Sequence, residues 1–94
     1  MSQSSSDRVD NTHLWFVYIL ECADGTLYTG MTNDIERRLD QHNAGTAARY
    51  TRARTPVKLV YQEESENRST ALKREYAIKQ LTRKQKDQLI TAKT

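Results

Sequence analysis

The longest unbroken apolar run of the chain, from Leu14 to Leu20, begins a segment with strong strand character. Aromatic and β-branched residues dominate positions 14–21, and both alternating faces of this segment are apolar. A strand that is apolar on both faces is usually central in its sheet and covered on each side. The letters "ADG" then predict a hairpin turn, "TLYTG" predicts a second strand, and "PVKLVYQE" alternates as a third.

Helical signals follow the predicted hairpin. Asn33 is a suitable N-cap for a helix from Asp34 to about Asn43, and Glu36 stands three residues later, as a capping box prefers. The stripe of this helix at i, i+4 and i+7 consists of Ile35, Leu39 and His42.

The remaining elements complete a small α/β pattern. The segment "AGTAARYTRART" predicts a loop with one short helix. Two further helices are predicted from about Asn67 to Leu81 and from about Arg83 to Ala92, the second capped by Thr82. The order ββααβαα indicates an α/β sandwich with a three-stranded sheet flanked by helices.

Length and composition indicate one globular domain. The chain has 94 residues, of which 36% are hydrophobic and 29% charged. Residues 1–13 are polar and Ser-rich without periodicity, so we expect a disordered N-terminal arm before a single domain at residues 14–94.

Charge and cysteine content limit which binding partners and which cellular compartment we expect. Fifteen Lys and Arg against twelve Asp and Glu give only +3, so charge placement must carry any argument for a polyanionic partner. Cys22 is the only cysteine, so neither an intramolecular disulfide nor a Cys-rich zinc site is possible, and no disulfide-linked partner is expected. Without a membrane-length apolar run or a signal-peptide pattern, we expect a soluble cytoplasmic protein with no membrane partner.

Two tyrosines flank the predicted turn, and the turn length decides whether they share a face of the sheet. With Asp24-Gly25 alone as the loop, Tyr18 and Tyr28 lie on opposite faces. With the three-residue loop Ala23-Asp24-Gly25, Tyr18 pairs with Gly30 and Tyr28 is its diagonal neighbour, about 7–8 Å away. Both turns are chemically reasonable, and only the second makes the tyrosines one site.

Glu75 falls inside the apolar face of the helix predicted at residues 67–81. The apolar members of that face are Ala71, Leu72, Ile78 and Leu81. A buried carboxylate costs several kcal/mol unless a cation, a metal or hydrogen-bond donors satisfy it. Glu75 is therefore either a site residue or one partner of a structural ion pair with a buried arginine.

Arg38 and His42 stand four residues apart beside the apolar stripe of the first helix. One interpretation directs either side chain along the sheet toward a site. The other is a solvated arginine beside a partly buried histidine.

Residues 44–58 carry the strongest local charge bias of the domain. They contain no acid, Tyr50 lies among them, and their cations are Arg49, Arg52, Arg54 and Lys58. This composition suits contacts to DNA phosphates, with Tyr50 available for stacking, or else forms ordinary solvated faces. No base-reading motif is present, so little sequence readout is expected.

The order of these motifs resembles the GIY-YIG endonuclease family, in particular its small stand-alone bacterial members. The resemblance covers about residues 14–85 and rests on "FVY" at 16–18, "YTG" at 28–30, "NDIERRLDQH" at 33–42, the later Glu75, and "YTRARTPVKLVY". The chain departs from the family pattern at Phe16, which replaces Gly, and at Thr29, which replaces Ile. No Asn follows Glu75, where some family nucleases use one.

The resemblance implies a fold, a reaction and a set of roles. The family fold is a three-stranded antiparallel sheet flanked by helices, and the family hydrolyses DNA phosphodiesters with one divalent cation per site, Mg²⁺ or Mn²⁺. Glu75 matches the metal-binding Glu, Arg38 matches the catalytic Arg, and His42 matches a position that is His or Tyr. Tyr18 and Tyr28 match the motif tyrosines, and either is a candidate general base. The resemblance therefore favours the three-residue loop, which puts both tyrosines on one face that Arg38 and Glu75 should also reach from two helices.

Three functional hypotheses follow. The first is a metal-dependent DNA endonuclease of low sequence specificity that acts in repair or recombination. The second is a nucleic-acid-binding module with weak or no catalysis that works with a targeting protein. The third is a structural domain with a buried salt bridge between Glu75 and Arg38 and no affinity for DNA.

Overall fold

The computed structural model describes residues 14–93. A three-stranded antiparallel sheet lies at its centre, in the order β2-β1-β3. Its strands are β1 (Trp15–Glu21), β2 (Leu27–Thr32) and β3 (Lys58–Ser65). The predicted central position of the first strand is confirmed, and the predicted arm at residues 1–13 lies outside the described residues.

Helices cover both faces of the sheet and complete the predicted order ββααβαα. They are α1 (Ile35–Asn43), the one-turn α2 (Arg49–Arg52), α3 (Arg68–Lys79) and α4 (Arg83–Lys93). None of the helices within residues 14–93 is both long and apolar enough to cross a membrane.

The alternation along β1 produces two separate cores. Val17 and Ile19 pack on one face against Ala71 and Ile78 of α3, with side chains of α4 around them. On the other face, one cluster joins β1 to α1, and its members are Tyr18, Leu20, Cys22, Val57, Tyr28, Ile35, Leu39 and Leu59. This two-sided burial explains why the first strand is apolar at each position from Trp15 to Leu20.

The hairpin turn is the three-residue loop. The amide of Cys22 donates to the carbonyl of Thr26 at 2.8 Å, and Gly25 has φ +84°, a left-handed conformation that favours glycine. The resulting register pairs Tyr18 with Gly30 and Leu20 with Tyr28. The two tyrosines therefore lie on the same face of the sheet.

The start of α1 differs from the prediction by one residue. Asp34, not Asn33, is the N-cap, and its carboxylate accepts from the amide of Arg37 at 3.1 Å. The hydroxyl of Thr32, at the end of β2, accepts from the amide of Asp34 at 3.1 Å and helps to hold Asp34 in the extended conformation of an N-cap. This β2 contact could not be foreseen from local spacing, so the capping box predicted with Glu36 was wrong.

The caps of the two later helices follow the sequence more closely. Asn67 caps α3 in a reciprocal capping box with Thr70. Thr82 accepts from the amide of Gln85 at 3.1 Å, and the Gln85 side chain accepts from the amide of Thr82 at 2.9 Å. The predicted cap of the last helix is therefore confirmed.

Candidate active site

Tyr18 reaches from the central strand across its neighbour β2. The residue is 3% exposed, and its cross-strand partner is Gly30. A Cβ at position 30 would lie 2.5 Å from the Tyr18 hydroxyl oxygen and 2.6 Å from the adjacent ring carbon. Gly30 therefore provides the space in which the tyrosine ring lies, as a strand glycine often does at a close approach.

His42 is the immediate partner of Tyr18. It belongs to the last turn of α1, is 1% exposed, and places Nε2 at 2.8 Å from the Tyr18 hydroxyl oxygen. Its other nitrogen, Nδ1, lies 2.8 Å from the hydroxyl oxygen of Thr51, which is on α2. Both imidazole nitrogens are thus held inside the protein, which fixes the orientation of the ring.

The surroundings set the protonation of this pair. Burial raises the pKa of Tyr18 well above its usual range, and the neighbouring Tyr28 and Glu75 raise it further, whereas Arg38 lowers it. Burial and the charge of Arg38 both lower the pKa of His42. A protonated tyrosine therefore meets a neutral histidine near pH 7.

Tyr28 occupies a different environment on the same face. Its half-buried ring meets the His42 ring edge-on with centroids 5.2 Å apart, and it stacks on Tyr50 with centroids 6.0 Å apart. Its hydroxyl has no hydrogen-bond partner within residues 14–93, in contrast to the hydroxyl of Tyr18. The two motif tyrosines are therefore chemically distinct.

Arg38 lies half-buried on α1, beside Tyr18 and Leu59. No ion pair joins it to a carboxylate of the part of the chain that the structure describes. Its charge still acts on both Tyr18 and His42. A planar set of guanidinium donors without a counter-ion is suited to an anionic ligand.

Glu75 approaches the site from the other helical layer. It lies between Ala71 and Ile78, the residues by which α3 packs on the opposite face of the sheet. The helix that carries Glu75 therefore covers the face opposite the tyrosines. The charge of Glu75 nevertheless raises the pKa of Tyr18, so the carboxylate lies within electrostatic range of that hydroxyl.

Glu75 does not form the hypothesised salt bridge with Arg38. Its side chain is only 15% exposed, and its ion-pair partner is Lys79, with Nζ 3.6 Å from Oε2. The pair with Arg38 that a purely structural role requires is not formed. Leu72, predicted to lie on the buried face with Glu75, is 47% exposed, because the buried positions of α3 follow the i, i+4, i+7 line of 71, 75 and 78.

Comparison with known proteins agrees with this arrangement. The family model described as the GIY-YIG catalytic domain matches residues 14–88. The chain belongs to the GIY-YIG family. Because that family consists of endonucleases, its membership makes DNA the implied substrate.

The relatives of this GIY-YIG domain, including two with solved structures, are small proteins. A UPF0213 protein of Desulfotalea psychrophila is 60% identical over 83% of this chain and 72% of its own. One of Halobacterium salinarum is 56% identical over 78% of this chain and 95% of its own. The solution NMR structure of a UPF0213 protein from Bacillus halodurans covers 85% of both chains at 44% identity, with a TM-score of 0.56. An E. faecalis protein solved by NMR covers 88% of both at 46% identity, with a TM-score of 0.60.

The donor set of this GIY-YIG domain fits a hard, well-hydrated cation. No group of three or more His, Cys, Asp or Glu side chains within residues 14–93 could enclose a metal. Glu75 is a single, largely buried carboxylate, which suits Mg²⁺, because that ion keeps several waters and needs few protein ligands. A tetrahedral zinc site would need more ligands than this arrangement provides.

The basic stretch divides into paired and unpaired cations. Arg54 pairs with Asp24 at 3.0 Å, and Lys58 pairs with Glu21 at 3.4 Å. Arg49 and Arg52 are exposed on α2 and form no ion pair with another described residue. Two of the four predicted phosphate contacts therefore already have an acidic partner.

Tyr50 makes its ring contacts within the protein. The Arg54 guanidinium lies 3.9 Å from the centroid of its ring, and the ring also stacks on Tyr28. The predicted stacking of Tyr50 on a nucleic-acid base stays a prediction. The contacts of the ring with Arg54 and Tyr28 support a structural role equally well.

Thr51 is the residue of the site that the sequence did not reveal. It is fully buried, and its hydroxyl meets Nδ1 of His42. A single threonine inside a basic loop carries no motif, and its distance of nine residues from His42 matches no helical or strand period. Only the packing of α2 against α1 brings the two side chains together.

Proposed function

We propose that this GIY-YIG domain is a DNA endonuclease that depends on a divalent metal and has low sequence specificity. The observation that carries the proposal is the buried hydrogen bond between Tyr18 and the neutral His42, next to the Arg38 guanidinium, which has no ion-pair partner within residues 14–93. A proton donor, a proton acceptor and an anion-binding group thus meet at one place, as phosphodiester hydrolysis requires.

Tyr18 is the better candidate for the general base. Its hydroxyl oxygen lies 2.8 Å from Nε2 of the neutral His42, so the proposed base can pass its own proton to the imidazole as it takes one from water. The water O–H bond breaks as a new Tyr18 O–H bond forms, and the original Tyr18 proton becomes the Nε2–H of an imidazolium. This relay avoids a free tyrosinate, whose formation the raised pKa of Tyr18 opposes. Tyr28 has no comparable acceptor.

Arg38 supports the other half of the reaction. The hydroxide formed from water attacks phosphorus, and the P–O bond to the leaving strand breaks. Negative charge grows on the phosphoryl oxygens during this step, and the Arg38 guanidinium is placed to donate to them. Since Arg38 forms no ion pair with another residue that the structure describes, it can bind this charge without breaking such a pair.

Glu75 would hold the cation, one Mg²⁺ or Mn²⁺ per site. When bound, such an ion polarises a phosphate oxygen and stabilises the leaving oxygen. Lys79, the present partner of Glu75, is exposed and flexible enough to release the carboxylate.

The surface around the site supports backbone contacts more than base readout. Arg49 and Arg52 project from α2, the helix whose Thr51 touches His42, so phosphates bound there would lie close to the relay. A targeting protein would supply the selectivity that two arginines do not. We place the activity in DNA repair or recombination in the cytoplasm.

The test is cleavage of plasmid and branched DNA with Mg²⁺, with Mn²⁺ and with EDTA. We expect metal-dependent cleavage that falls about 10²–10³-fold in Arg38→Ala and in Glu75→Ala. Matched controls are Arg37→Ala, an exposed arginine on the same helix, and Glu66→Ala, an exposed acid, both of which should retain activity. Equal cleavage by wild type and both site variants would show that the activity comes from elsewhere.

A DNA-binding module without catalysis is the second candidate, because the exposed Arg49 and Arg52 need no active site to bind phosphates. Salt-dependent binding that is the same in wild type and Glu75→Ala, with no cleavage in either metal, would favour it. Cleavage lost with Glu75 would exclude it.

A further inference from the structure

The buried hydroxyl of Thr51 makes two contacts that together restrict where its proton lies. Its oxygen is 2.8 Å from Nδ1 of His42 and 3.3 Å from the carbonyl oxygen of Ala48. A carbonyl can only accept a hydrogen bond, so the contact with Ala48 is a hydrogen bond only when the single hydroxyl proton of Thr51 points to that carbonyl. The hydroxyl oxygen is then free to accept a hydrogen bond from His42 Nδ1–H.

The contact on the Tyr18 side of the imidazole also indicates that the proton lies on Nδ1. Burial keeps Tyr18 protonated, and the acceptor within reach of its hydroxyl is Nε2 of His42. If Nε2 carried the imidazole proton, the buried Tyr18 proton would lose this acceptor, and an unsatisfied buried donor is unfavourable. With the proton on Nδ1, all the buried protons of Tyr18, His42 and Thr51 are satisfied at once.

We propose that Thr51 is a positioning residue that selects the Nδ1–H tautomer of His42 and so presents Nε2 as the acceptor of the Tyr18 proton. The catalytic consequence rests on the proposed nuclease function, whereas the tautomer itself does not. In the other tautomer Nε2–H would donate to Tyr18 and could not take its proton, so the relay would stop.

The fold gives Thr51 this role through a helix of a single turn. Helix α2 packs on the end of α1, which places Thr51 inward beside His42, while its neighbours Arg49 and Arg52 remain exposed. The relay therefore consists of an inner pair, Tyr18 and His42, and of Thr51, which contacts the histidine but not the tyrosine.

The decisive experiment is ¹⁵N NMR of the imidazole rings in the full chain at neutral pH, without DNA or metal. The chain has two histidines, so a His13→Asn variant leaves one set of ring signals to assign to His42. We expect a protonated Nδ1 and an unprotonated Nε2. Wild-type signals that show Nε2–H overturn the proposal directly, even if no variant folds.

Variants then test whether Thr51 selects the tautomer. Thr51→Val keeps the shape and removes the hydroxyl, so it should move the ¹⁵N signals of His42 toward the Nε2–H form, whereas Thr51→Ser should keep the wild-type pattern. An unchanged pattern in a folded Thr51→Val protein would overturn the role of Thr51.

Kinetics provide the third measurement. In a cleavage assay, Thr51→Val should lower kcat by about 10–100-fold with little change in KM, and Thr51→Ser should recover most of it. If wild type cleaves no DNA, the nuclease proposal fails, while the NMR result still decides the tautomer. A normal kcat in folded Thr51→Val would overturn the positioning role.

Discussion

The hydroxyl of Tyr18 lies over the Cα of Gly30, in the space that a Cβ would occupy. Gly30 sits in a regular extended strand, so the lack of a side chain, and not an unusual backbone angle, is what the site needs at this position. The ring of Tyr18, on the central strand, thus packs directly on Gly30 of the edge strand β2. The hydrogen bond between Tyr18 and His42 depends on this packing.

Gly30→Ala should therefore displace Tyr18 and separate it from His42. An added Cβ would lie 2.5 Å from the oxygen and 2.6 Å from a ring carbon, so the ring or the strand must move. We expect a loss of about 1–3 kcal/mol in urea unfolding and a larger relative loss of cleavage. Adding Tyr18→Phe should not restore stability, because the ring carbon still meets the Cβ. Wild-type stability and activity in Gly30→Ala would contradict the packing described here.

His42 should control the acid side of the pH profile. Only the neutral imidazole accepts a proton from Tyr18, and burial and Arg38 lower the pKa of His42 below its ordinary value near 6.5. Cleavage should therefore be at its plateau at pH 7 and fall as the pH drops through a midpoint below 6.5. The measurement is kcat from pH 5 to 8 at fixed Mg²⁺. A midpoint above 6.5 would argue against the neutral histidine.

The same shift predicts the pH dependence of stability. A histidine whose pKa is lower in the folded state takes up protons preferentially in the unfolded state, so folding is stabilised above 6.5 and loses this stabilisation as the pH falls. Urea unfolding of wild type and His42→Asn at pH 7 and pH 5 isolates the contribution. The stability difference between the two proteins should narrow at pH 5, and a difference that widens would reverse the sign of the inferred shift.

DNA binding should distinguish the free arginines from the paired cations. Each phosphate contact adds about 0.9 to the slope of log K against log salt concentration. Arg49→Ala and Arg52→Ala should each reduce that slope by roughly one. Lys58→Ala, whose charge is offset by Glu21, should change it by much less. A uniform loss across all three variants would mean that the ion pair at Lys58 opens on DNA.

The parts of this structure that follow local rules could be predicted from the sequence. The two-sided apolar pattern of residues 14–21 reflects the two cores of β1, and the glycine of the three-residue loop adopts the left-handed conformation that this turn needs. Local reasoning left the loop length open, and the family resemblance favoured the loop that the structure contains. Tyr18, Arg38 and His42 were found because each belongs to a motif with fixed spacing.

The parts that depend on packing between distant elements could not be predicted in the same way. Helical periodicity shows that Glu75 is buried, but not which face of the sheet its helix covers. The ion pair between Arg54 and Asp24 joins residues thirty positions apart, so charge counts alone made Arg54 look free. Thr51 meets His42 only because the one-turn helix packs on the end of α1.

A second largely buried carboxylate, Glu63, gives the last prediction, which concerns stability alone. Its oxygens accept from Nε and Nη2 of Arg74 at 2.7 and 3.2 Å, and Tyr61 donates to it as well. Arg74→Ala should cost about 1–2 kcal/mol, because a largely buried carboxylate loses its cation, although the half-exposed position of Arg74 limits the effect. The matched control is Lys58→Ala, which removes an exposed lysine on the same edge strand, β3, from its ion pair with Glu21. This variant should lose less than about 0.5 kcal/mol of stability. Urea unfolding of both variants is the measurement, and equal losses would show that the burial of Glu63 adds nothing to its pairing.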